Sequence, residues 1–518
     1  MEVVTARTAN ALLLALVLAT SSLCDGVHSR HHHHTKRAKH SSARPPSQAP
    51  GPAGPRRAPS PRYASPPAPS AGPMPVAPAP APPLADDDSN VYYDLMKDFG
   101  AAGDGVTDDT DVVKTAWDTA CQDDGEGVVV AAAGHSFLVH STTFTGPCQG
   151  SVTLQIDGTI VAPSDPTTWP ANSKRNWLVF YKAHGMSLSG AGLIDGKGQK
   201  WWDLPCKPHK VRNNRLSHES SVHQSRSIHL SCSVYLSFSS CQGGNTHGPC
   251  DSPVALRFFE SNNVTVQGLK VQNSPEFHFR FDSCRGVHVN GLSISSPALS
   301  PNTDGIHVEN TQDVLIANTV VSNGDDCVSI GAGTLNVHIE NVTCGPGHGI
   351  SIGSLGKQGS RACVSNITVR NAVIRHSDNG VRIKTWQGGS GSVSAVTFEN
   401  VRMDAVRNPI IIDQYYCLTK SCENATTAVF VSDITYAGIR GTYDVRGPPI
   451  HFGCSDAVPC TNITLSGVEL LPASGDTVDN PFCWNVYGNA TTPTVPPVAC
   501  LMDGVPRNVE DNSSLKCY

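Results

Sequence analysis

Asp304, Asp326 and His348 follow one another at a constant interval of 22 residues. In a chain that forms one coil per roughly 22 residues, equal spacing places such side chains on adjacent coils of one face. Neighbouring strands lie about 4.8 Å apart, so the two aspartates would act on one bond and the histidine would lie about two coils from the first. The spacing therefore predicts a row of active-site residues.

Asp325 adds a third carboxyl group beside Asp326. Acid and base roles at one bond require two carboxyl groups in different environments, and crowding of like charges separates their pKa values. Taken alone, an Asp-Asp pair or an Asn-Thr-Asp-Gly segment is typical of an ordinary turn, and a histidine between glycines is typical of a loop. The shared interval distinguishes these residues, and we predict that Asp304, Asp325, Asp326 and His348 are catalytic.

Two basic residues and a tyrosine follow this row in the sequence. Arg382 and Lys384 are two positions apart on a predicted strand and so project from the same face. The pair would either neutralise nearby acids or, beside a row of carboxylates, recognise an anionic substrate. Tyr416 would either pack in the core or bound the cleft one or two coils further along.

A short phrase recurs along the chain and predicts the scaffold. Each copy alternates apolar and polar residues and then turns at Asn or Gly, which is the pattern of a short strand with one inward face. The offsets between copies are 23, 27, 23, 30 and 29 residues. The copies are Asn263–Leu269, Gly286–Leu292, Asp313–Thr319, Asn336–Val342, Asn366–Ala372 and Ala395–Val401.

No copy can bury its apolar face alone, but stacked copies can. The sequence therefore predicts an all-β fold, a right-handed parallel β-helix in which Asn side chains form ladders at the turns. One short helix near the N-terminal end, at about Thr110–Cys121, would cap this solenoid. A β-sandwich would also explain the alternation, but it would not explain the constant phrase or the 22-residue interval.

The first 88 residues differ in composition from the rest. Residues 1–24 contain a basic residue, an apolar run and small residues before Cys24, which together predict a secretory signal peptide. Residues 25–88 form a Pro-rich, basic arm that we predict to be disordered. The arm would be a solvated spacer or would adhere to a polyanionic matrix, and its tract His31–His34 would be a low-complexity run or a weak metal site. Residues 89–518 would form the β-helix catalytic domain.

Cysteine usage agrees with export. Of the 18 cysteines, 17 lie beyond the predicted signal peptide, and they are scattered instead of arranged in metal-binding pairs. No later segment has 18 consecutive apolar residues, so we expect a soluble mature protein. The odd total leaves at least one thiol unexplained, and the spacing suggests three local disulfides, Cys327–Cys344, Cys417–Cys422 and Cys454–Cys460. Asn-x-Ser/Thr glycosylation acceptors fit the same compartment and occur at Asn263, Asn341, Asn366, Asn424, Asn462, Asn489 and Asn512.

Residues 211–242 interrupt the repeating pattern. They are rich in Ser and His and lack the turn phrase. The segment begins with Val211, whose codons start with GT, and it ends with Ser237–Gln242, which a pyrimidine tract closing in CAG can encode. We therefore treat a retained intron in the gene model and a genuine surface loop as equal alternatives.

Four motifs contain most of the candidate site residues, namely Asn302–Gly305, Gly324–Cys327, Gly345–Ser351 and Arg382–Lys384. In order and approximate spacing they resemble the signature motifs of polygalacturonases, family 28 of the glycoside hydrolases. The resemblance extends over about residues 92–503. Three further segments are similar to the plant branch of the family, Asp98–Gly105, Ile194–Trp202 and Asn273–Phe279.

The resemblance implies a role for each residue of the row. Asp325 would be the general acid that protonates the glycosidic oxygen, while Asp304 and Asp326 would activate the attacking water. His348 would support the protonation and hydrogen bonding of the acid. The family inverts the anomeric configuration, which requires room for a water between acid and base and a carboxyl separation of roughly 6.5 to 9.5 Å.

The same resemblance assigns four residues to substrate binding. Arg382 and Lys384 would grip the carboxylate of a galacturonate residue beside the scissile bond, Asn302 would orient neighbouring groups, and Tyr416 would line that subsite. The partner would be pectin, and no cofactor or metal is implied. We expect a secreted monomer of the extracellular space or cell wall that binds neither nucleic acid nor membranes.

Three other functions remain compatible with parts of this pattern. A wall-binding protein that has lost turnover would use the arm and the cleft for adhesion, although all the acids are present. A β-helix pectate lyase would use Ca²⁺ and an arginine base and would create unsaturated products. A rhamnogalacturonan hydrolase would share the fold, but the Asp-Asp and Arg-Ile-Lys motifs together favour plain galacturonate.

Overall fold

The structure is a computed structural model that describes residues 90–170, 173–204, 251–418, 422, 424–475, 478–506 and 517. These residues belong to one compact unit, Pro82–Tyr518. The predicted signal peptide, the predicted arm at 25–88 and the segment 211–242 lie outside the described residues.

The described strands form three parallel sheets, which we call sheets A, B and C. Sheet A has 13 strands, Asn90–Asp94, Glu126–Ala131, Ser151–Ile156, Ser187–Ser189, Asn262–Gln267, Arg285–Asn290, Gln312–Ala317, Thr334–Glu340, Arg361–Arg370, Ser390–Glu399, Phe430–Ala437, Cys460–Ser466 and Val486–Ala490. Sheet B has 12 strands, Asp104–Asp108, Ser136–Leu138, Thr159–Val161, Leu193–Asp195, Lys270–Gln272, Ser293–Ser295, Val320–Ser322, Thr343–Cys344, Val373–Arg375, Arg402–Val406, Arg440–Tyr443 and Glu469–Pro472. Sheet C has 11 strands, Thr142–Thr145, Asn176–Tyr181, Val254–Phe259, Phe279–Asp282, Ile306–Glu309, Val328–Ile330, Ile350–Leu355, Asn379–Thr385, Asn408–Asp413, Ile450–Gly453 and Phe482–Trp484.

From Glu126–Ala131 onward, successive strands visit sheets A, B and C in turn. Connections between parallel strands of one sheet are right-handed in nearly all proteins. The predicted right-handed parallel β-helix is therefore confirmed. All six copies of the repeated phrase begin in sheet A, and they stack in register, as the pairing of Val264 with Val287 and of Val287 with Val314 illustrates.

The helices are few and short. Within the described part of the chain, two are α-helical, Thr110–Ala120 and Gln199–Trp202, and two are 3₁₀ turns, Pro166–Thr168 and Lys357–Gly359. Among the described residues, no helix is both long and apolar enough to cross a membrane.

The predicted capping helix forms and ends one residue earlier than expected, at Ala120. Its buried face includes Trp117, whose ring lies 5.2 Å from that of Phe144 and 5.7 Å from that of Phe180, measured between centroids. These phenylalanines point into the solenoid from sheet C, so the helix covers apolar side chains of the first coils.

The interior consists of aligned apolar side chains, one from each coil. The rings of Phe144, Phe180, Phe258 and Phe281 stack along sheet C with centroid separations of 5.1, 4.9 and 4.9 Å. A side chain on one coil contacts its counterpart on the next. If the strand register shifted by one residue, these stacked side chains would therefore point outward. Burial of these stacked apolar side chains therefore fixes the strand register, and the same register positions the polar side chains.

Asparagine ladders form at the turns, as predicted, where Asn318 Nδ2 donates to Asn290 Oδ1 at 2.8 Å and Asn341 Nδ2 donates to Asn318 Oδ1 at 3.2 Å. A second ladder lies within sheet A. Asn336 Nδ2 donates to Asp313 Oδ1 at 2.8 Å, and Asn366 Nδ2 donates to Asn336 Oδ1 at 2.8 Å. These residues open three of the repeated phrases and have positive φ values of 60°, 57° and 57°. Asn and Asp tolerate this left-handed conformation better than most residues do, which explains why they recur there.

The three local disulfides that the spacing suggested are confirmed. Three further bridges join cysteines that the structure describes, Cys121–Cys148, Cys363–Cys517 and Cys483–Cys500. Among the described cysteines, Cys284 is free and buried. The odd number of cysteines beyond the predicted signal peptide required at least one such unpaired thiol.

The coils on either side of the segment 211–242 pair directly with each other. Strand Asn176–Tyr181 pairs with Val254–Phe259 in sheet C, and Leu193–Asp195 pairs with Lys270–Gln272 in sheet B. The described solenoid is therefore continuous without a strand from this segment. That the segment is a retained intron stays a prediction.

Ala395 provides a test of the ladder. It opens the sixth phrase with a φ of 53°, and it falls between Asn366 and Asp433 in the stacked register, where it interrupts the ladder. We expect Ala395→Asn to raise the free energy of unfolding by about 1 kcal/mol, because Asn tolerates the conformation and adds a hydrogen bond. Urea unfolding of protein made without N-glycans measures this, since the change creates an Asn-Val-Thr acceptor.

Ala395→Gly is the matched control, because it relieves the backbone conformation without adding a side-chain partner. Ala395→Asn should be the more stable of the two variants. Equal stability of both would mean that the ladder contributes nothing at this position.

Candidate active site

The turns that lead into three neighbouring strands of sheet C bring the predicted row together. Ile306 pairs with Val328 and Val328 pairs with Ile350, so the residues two positions earlier on these coils, Asp304, Asp326 and His348, share one line. The backbone agrees, because Gly305 N donates to Asp326 O at 2.9 Å and Ile306 N donates to Cys327 O at 3.0 Å. The 22-residue interval corresponds to one coil here.

Asp326 lies at the centre of a charged cluster. Its Oδ1 accepts hydrogen bonds from Arg382 Nη2 at 2.7 Å and from Ser351 Oγ at 2.8 Å, and its Oδ2 accepts from Lys384 Nζ at 2.7 Å. The side chain is only 2% exposed. Burial by itself would raise the pKa of this carboxyl, but the charges of Lys384 and Arg382 outweigh it and lower the pKa below the ordinary value. Asp326 is therefore held as a carboxylate.

Asp304 is in the opposite electrostatic situation. It is buried, and its Oδ2 accepts a hydrogen bond from Ser329 Oγ at 2.7 Å. Burial, together with the negative charges of Asp325 and Asp326, raises the pKa of Asp304 well above the ordinary value. Neighbouring coils thus hold one carboxyl group with a raised pKa, Asp304, and another with a lowered pKa, Asp326.

Asp325 is the more accessible member of the Asp-Asp pair, with a side chain that is 17% exposed. Its Oδ1 lies 2.7 Å from His348 Nδ1 and accepts a hydrogen bond from Asp326 N at 3.0 Å. His348 Nε2 lies 3.6 Å from Asp378 Oδ2. The imidazole therefore bridges two carboxyl groups, and its contact with Asp325 orients that side chain.

The residues predicted to bind substrate meet the same cleft. Asn302, Lys384 and Tyr416 line it together with the three aspartates. Lys384 Nζ lies 5.4 Å from the centre of the Tyr416 ring. Arg382 reaches the site through Asp326 and also donates from Nε to Ser351 Oγ at 2.9 Å. Arg382 and Lys384 therefore pair with an acid. The sequence had left open whether they neutralise nearby acids or recognise an anionic substrate.

A polar chain that was not predicted from the sequence lies behind Asp304. Ser329 Oγ lies 2.8 Å from His307 Nδ1, and His307 Nε2 lies 3.4 Å from Glu309 Oε2. When Asp304 is ionised, the single hydroxyl proton of Ser329 points to it, so His307 must donate to the serine. Burial opposes ionisation of Glu309, but His307 and Arg280 outweigh it and lower its pKa to about 2.

The spacing of these residues in the sequence could have revealed them. His307, Ser329 and Ser351 are themselves 22 residues apart, and the sheet pairs His307 with Ser329 and Ser329 with Ser351. They form a second row, parallel to the first, that supports the acids.

The cluster does not suit a metal ion. Ligand atoms of Asp325, Asp326 and His348 lie within 4.8 Å of one another. However, Asp326 already accepts hydrogen bonds from Arg382 and Lys384, and these charges would repel a divalent cation. The donors fit proton transfer better than metal binding.

Comparison with known proteins identifies the family. Residues 121–232 and 236–491 match the glycosyl hydrolases family 28. The chain belongs to this family. Family 28 relatives include a probable polygalacturonase of Arabidopsis thaliana, 42% identical over 407 residues, which span 78% of this chain and 83% of the relative. Polygalacturonase-2 of Solanum lycopersicum is 39% identical over 393 residues, covering 76% of this chain and 77% of the relative.

Solved structures support the fold of this family 28 member. An endo-xylogalacturonan hydrolase from Aspergillus tubingensis aligns with a TM-score of 0.59 and 23% identity, over 78% of this chain and 100% of that protein. A polygalacturonase from Erwinia carotovora aligns with a TM-score of 0.54 and 22% identity, over 75% of this chain and 94% of that protein. At such identities the likeness establishes the architecture alone.

The ion pairs around Asp326 allow a direct stability test. Lys384→Met removes one cation from a buried carboxylate, so we expect the free energy of unfolding at neutral pH to fall by about 3 kcal/mol. The pKa of Asp326 is lowered in the folded protein, so this contribution is present above the ordinary carboxyl pKa and is lost as the pH falls through the folded-state pKa. The deficit of the variant should therefore shrink under acidic conditions.

Denaturant unfolding across a pH series measures this deficit. Lys182→Met is the matched control. Lys182 forms an exposed ion pair with Glu260, so its loss should destabilise the protein far less than the loss of Lys384. A deficit in Lys384→Met that does not depend on pH would contradict the ionised state assigned to Asp326.

Proposed function

We propose that this protein is a polygalacturonase that hydrolyses α-1,4-galacturonosyl linkages of pectin by single displacement with inversion. The observation that carries the proposal is the cleft itself, where three carboxyl groups in different environments lie beside an arginine and a lysine. Membership of family 28 and the names of the plant relatives support the same reaction.

Asp325 is the proposed general acid. Among the three aspartates, Asp326 is held as a carboxylate by two cations and so cannot readily donate a proton. Asp325 lines the cleft, and its hydrogen bond with His348 fixes the direction of its carboxyl group. A positioned acid of this kind protonates the leaving oxygen as the glycosidic bond breaks.

Asp304 and Asp326 are the proposed pair that activates water. A single-displacement mechanism needs the water between the acid and the base, on the side of the sugar opposite the leaving group. Asp304 must lose its proton to accept one from water, and its raised pKa places that loss at a higher pH than for an ordinary aspartate. The same raised pKa makes it a stronger base once it is ionised.

Recognition of galacturonate rests on an excess of positive charge. Arg382 and Lys384 together face one firmly ionised carboxylate, Asp326, so a second carboxylate can bind beside them. Tyr416 lies against Lys384 and lines the cleft, where its ring limits the position of the sugar. Asn302 lines the cleft with Asp304 and would orient neighbouring groups.

The proposed site of action is the cell wall. The predicted signal peptide, the disulfides and the glycosylation acceptors all suit an extracellular protein. We propose that the protein acts there as a monomer, with pectin as its partner and no cofactor.

The acid assignment is tested by Asp325→Asn. We expect the release of reducing ends from polygalacturonate to fall by at least about a thousandfold, because the amide cannot donate the proton. Binding of the polymer should persist, since the cations and Tyr416 are retained. Asp313→Asn, an exposed change in sheet A, is the control and should leave both measurements unaltered.

Turnover by Asp325→Asn at the wild-type rate would refute the role of Asp325. Failure of the wild-type protein to release any reducing ends would refute the proposed function as a whole. Absorbance from unsaturated uronides in place of simple hydrolysis would assign a lyase.

The role of Asp304 predicts a shift in pH dependence. Ser329 donates a hydrogen bond that stabilises the Asp304 carboxylate, so Ser329→Ala should raise the pKa of Asp304 further. Because the base must be ionised, the acidic limb of the kcat/KM profile should move to higher pH, while the rate well above that limb changes little. Ser365→Ala removes a buried serine of sheet A and is the control, with no expected shift.

A further inference from the structure

Two lines of outward side chains continue from the active site along sheet C. In the first, Arg382 pairs in register with Ile411, which pairs with His451, which pairs with Phe482. A polymer that crosses the strands of sheet C and passes Arg382 would therefore follow this line toward the end of the solenoid.

The second line begins at Lys384. Lys384 pairs with Asp413, Asp413 with Gly453, and Gly453 with Trp484. Glycine leaves a gap between an acid and an indole. The two lines thus surround a hollow, lined by Asp413, Tyr415, His451, Gly453, Asp456, Phe482 and Trp484.

The aromatic side chains of this hollow are exposed and yet fixed in place. Phe482 is 44% exposed and Trp484 is 53% exposed. Trp484 Nε1 donates to Asp456 Oδ1 at 2.7 Å, and the Phe482 ring stacks on His451 with centroids 4.7 Å apart. Exposed aromatic rings held by such contacts are typical of a binding surface, because they present apolar area at little cost in side-chain entropy.

The charge of the hollow differs from that of the catalytic cleft. Arg382 and Lys384 act at the cleft, whereas the described residues lining the hollow include two acids, Asp413 and Asp456, and no lysine or arginine. Burial lowers the pKa of His451, which favours its neutral form. Burial also raises the pKa of Asp413, against the weaker opposing effect of Arg382 and Lys384. Once these acids are ionised, they would repel a uronate in the hollow, whose lining has no lysine or arginine to compensate, whereas an uncharged sugar would not be repelled.

We propose that this hollow binds a methyl-esterified galacturonosyl residue of the chain whose ionised residue lies at Arg382 and Lys384. The sugar stacks on Trp484 and Phe482, and the uncharged ester lies near Asp413 and Asp456. The enzyme therefore favours pectin in which one esterified residue lies a few sugars away from the free residue at Arg382 and Lys384. This inference rests on the proposed function, because it takes the polymer in the cleft to be polygalacturonate.

The first test is the kinetics of Trp484→Ala on two substrates. On partly methyl-esterified pectin, kcat/KM should fall about fivefold to tenfold through a higher KM with kcat unchanged, because a stacking contact distant from the scissile bond is lost. On fully de-esterified polygalacturonate, kcat/KM should stay within about twofold of wild type. Tyr92→Ala is the control, because it removes another exposed aromatic ring, on the first strand of sheet A. It should leave kcat/KM unchanged on both substrates.

A second test separates this inference from the proposed function. Calorimetric binding of esterified and free hexagalacturonates to Asp325→Asn, with and without Trp484→Ala, needs no turnover. A selective loss of affinity for the esterified oligomer supports the hollow even if the wild-type protein releases no reducing ends. An equal loss for both oligomers would overturn ester selectivity, and unchanged affinity for both would overturn the hollow as a binding site.

Asp413→Asn tests the charge argument. Removing this acid should improve kcat/KM for de-esterified polygalacturonate relative to the esterified polymer, since repulsion of the free carboxylate falls. A change in the reverse direction would show that charge at the hollow does not select the ester.

Discussion

The contact of the Asp326 carboxylate with Arg382 and Lys384 is the interaction on which the site depends. A buried carboxylate is costly unless charge and hydrogen bonds compensate for it, and Asp326 is enclosed by two cations and the hydroxyl of Ser351. This arrangement keeps one acid ionised in the interior of the cleft. The neighbouring Asp304, which has no cation within hydrogen-bonding distance among its described contacts, is then pushed toward its protonated form. One fixed charge thus gives two aspartates different chemistry.

The register of the stacked coils positions the acids and cations of the site. Each coil adds one strand to sheet C, so side chains at equivalent positions form lines along the solenoid. The stacked phenylalanines inside and the asparagine ladders at the turns both oppose slippage of one coil against the next. The acids, the supporting serines and the cations come from neighbouring coils of one sheet. Stability of the scaffold and geometry of the site therefore have the same origin.

Much of this architecture could be predicted from the sequence because the fold is repetitive. The interval between Asp304, Asp326 and His348 gave their alignment, and the recurring phrase gave the strands of sheet A. Local disulfides followed from spacing, but Cys363–Cys517, with a separation of 154 residues, could not. Long-range closure depends on how many coils intervene and where the chain ends, and no local pattern encodes that.

Other features needed coordinates for a different reason. The sequence placed Arg382 and Lys384 on one face, yet it could not decide between an acid and a substrate as their partner. The structure pairs both with Asp326, and the proposed substrate carboxylate would join that pair. Serine and histidine in the second row went unnoticed because such residues are common on any surface. Their shared 22-residue interval was the available signal, and the hydrogen bond from Ser329 to Asp304 shows their role.

The protonation pattern of the three carboxyl groups is the claim most open to direct observation. A neutron structure of the deuterium-exchanged protein at mildly acidic pH would locate the hydrogen atoms on these side chains. We expect deuterium on the carboxyl group of Asp304, none on Asp326, and fully deuterated Arg382 and Lys384 directed at Asp326. Deuterium on Asp326 with Asp304 ionised would contradict this expectation.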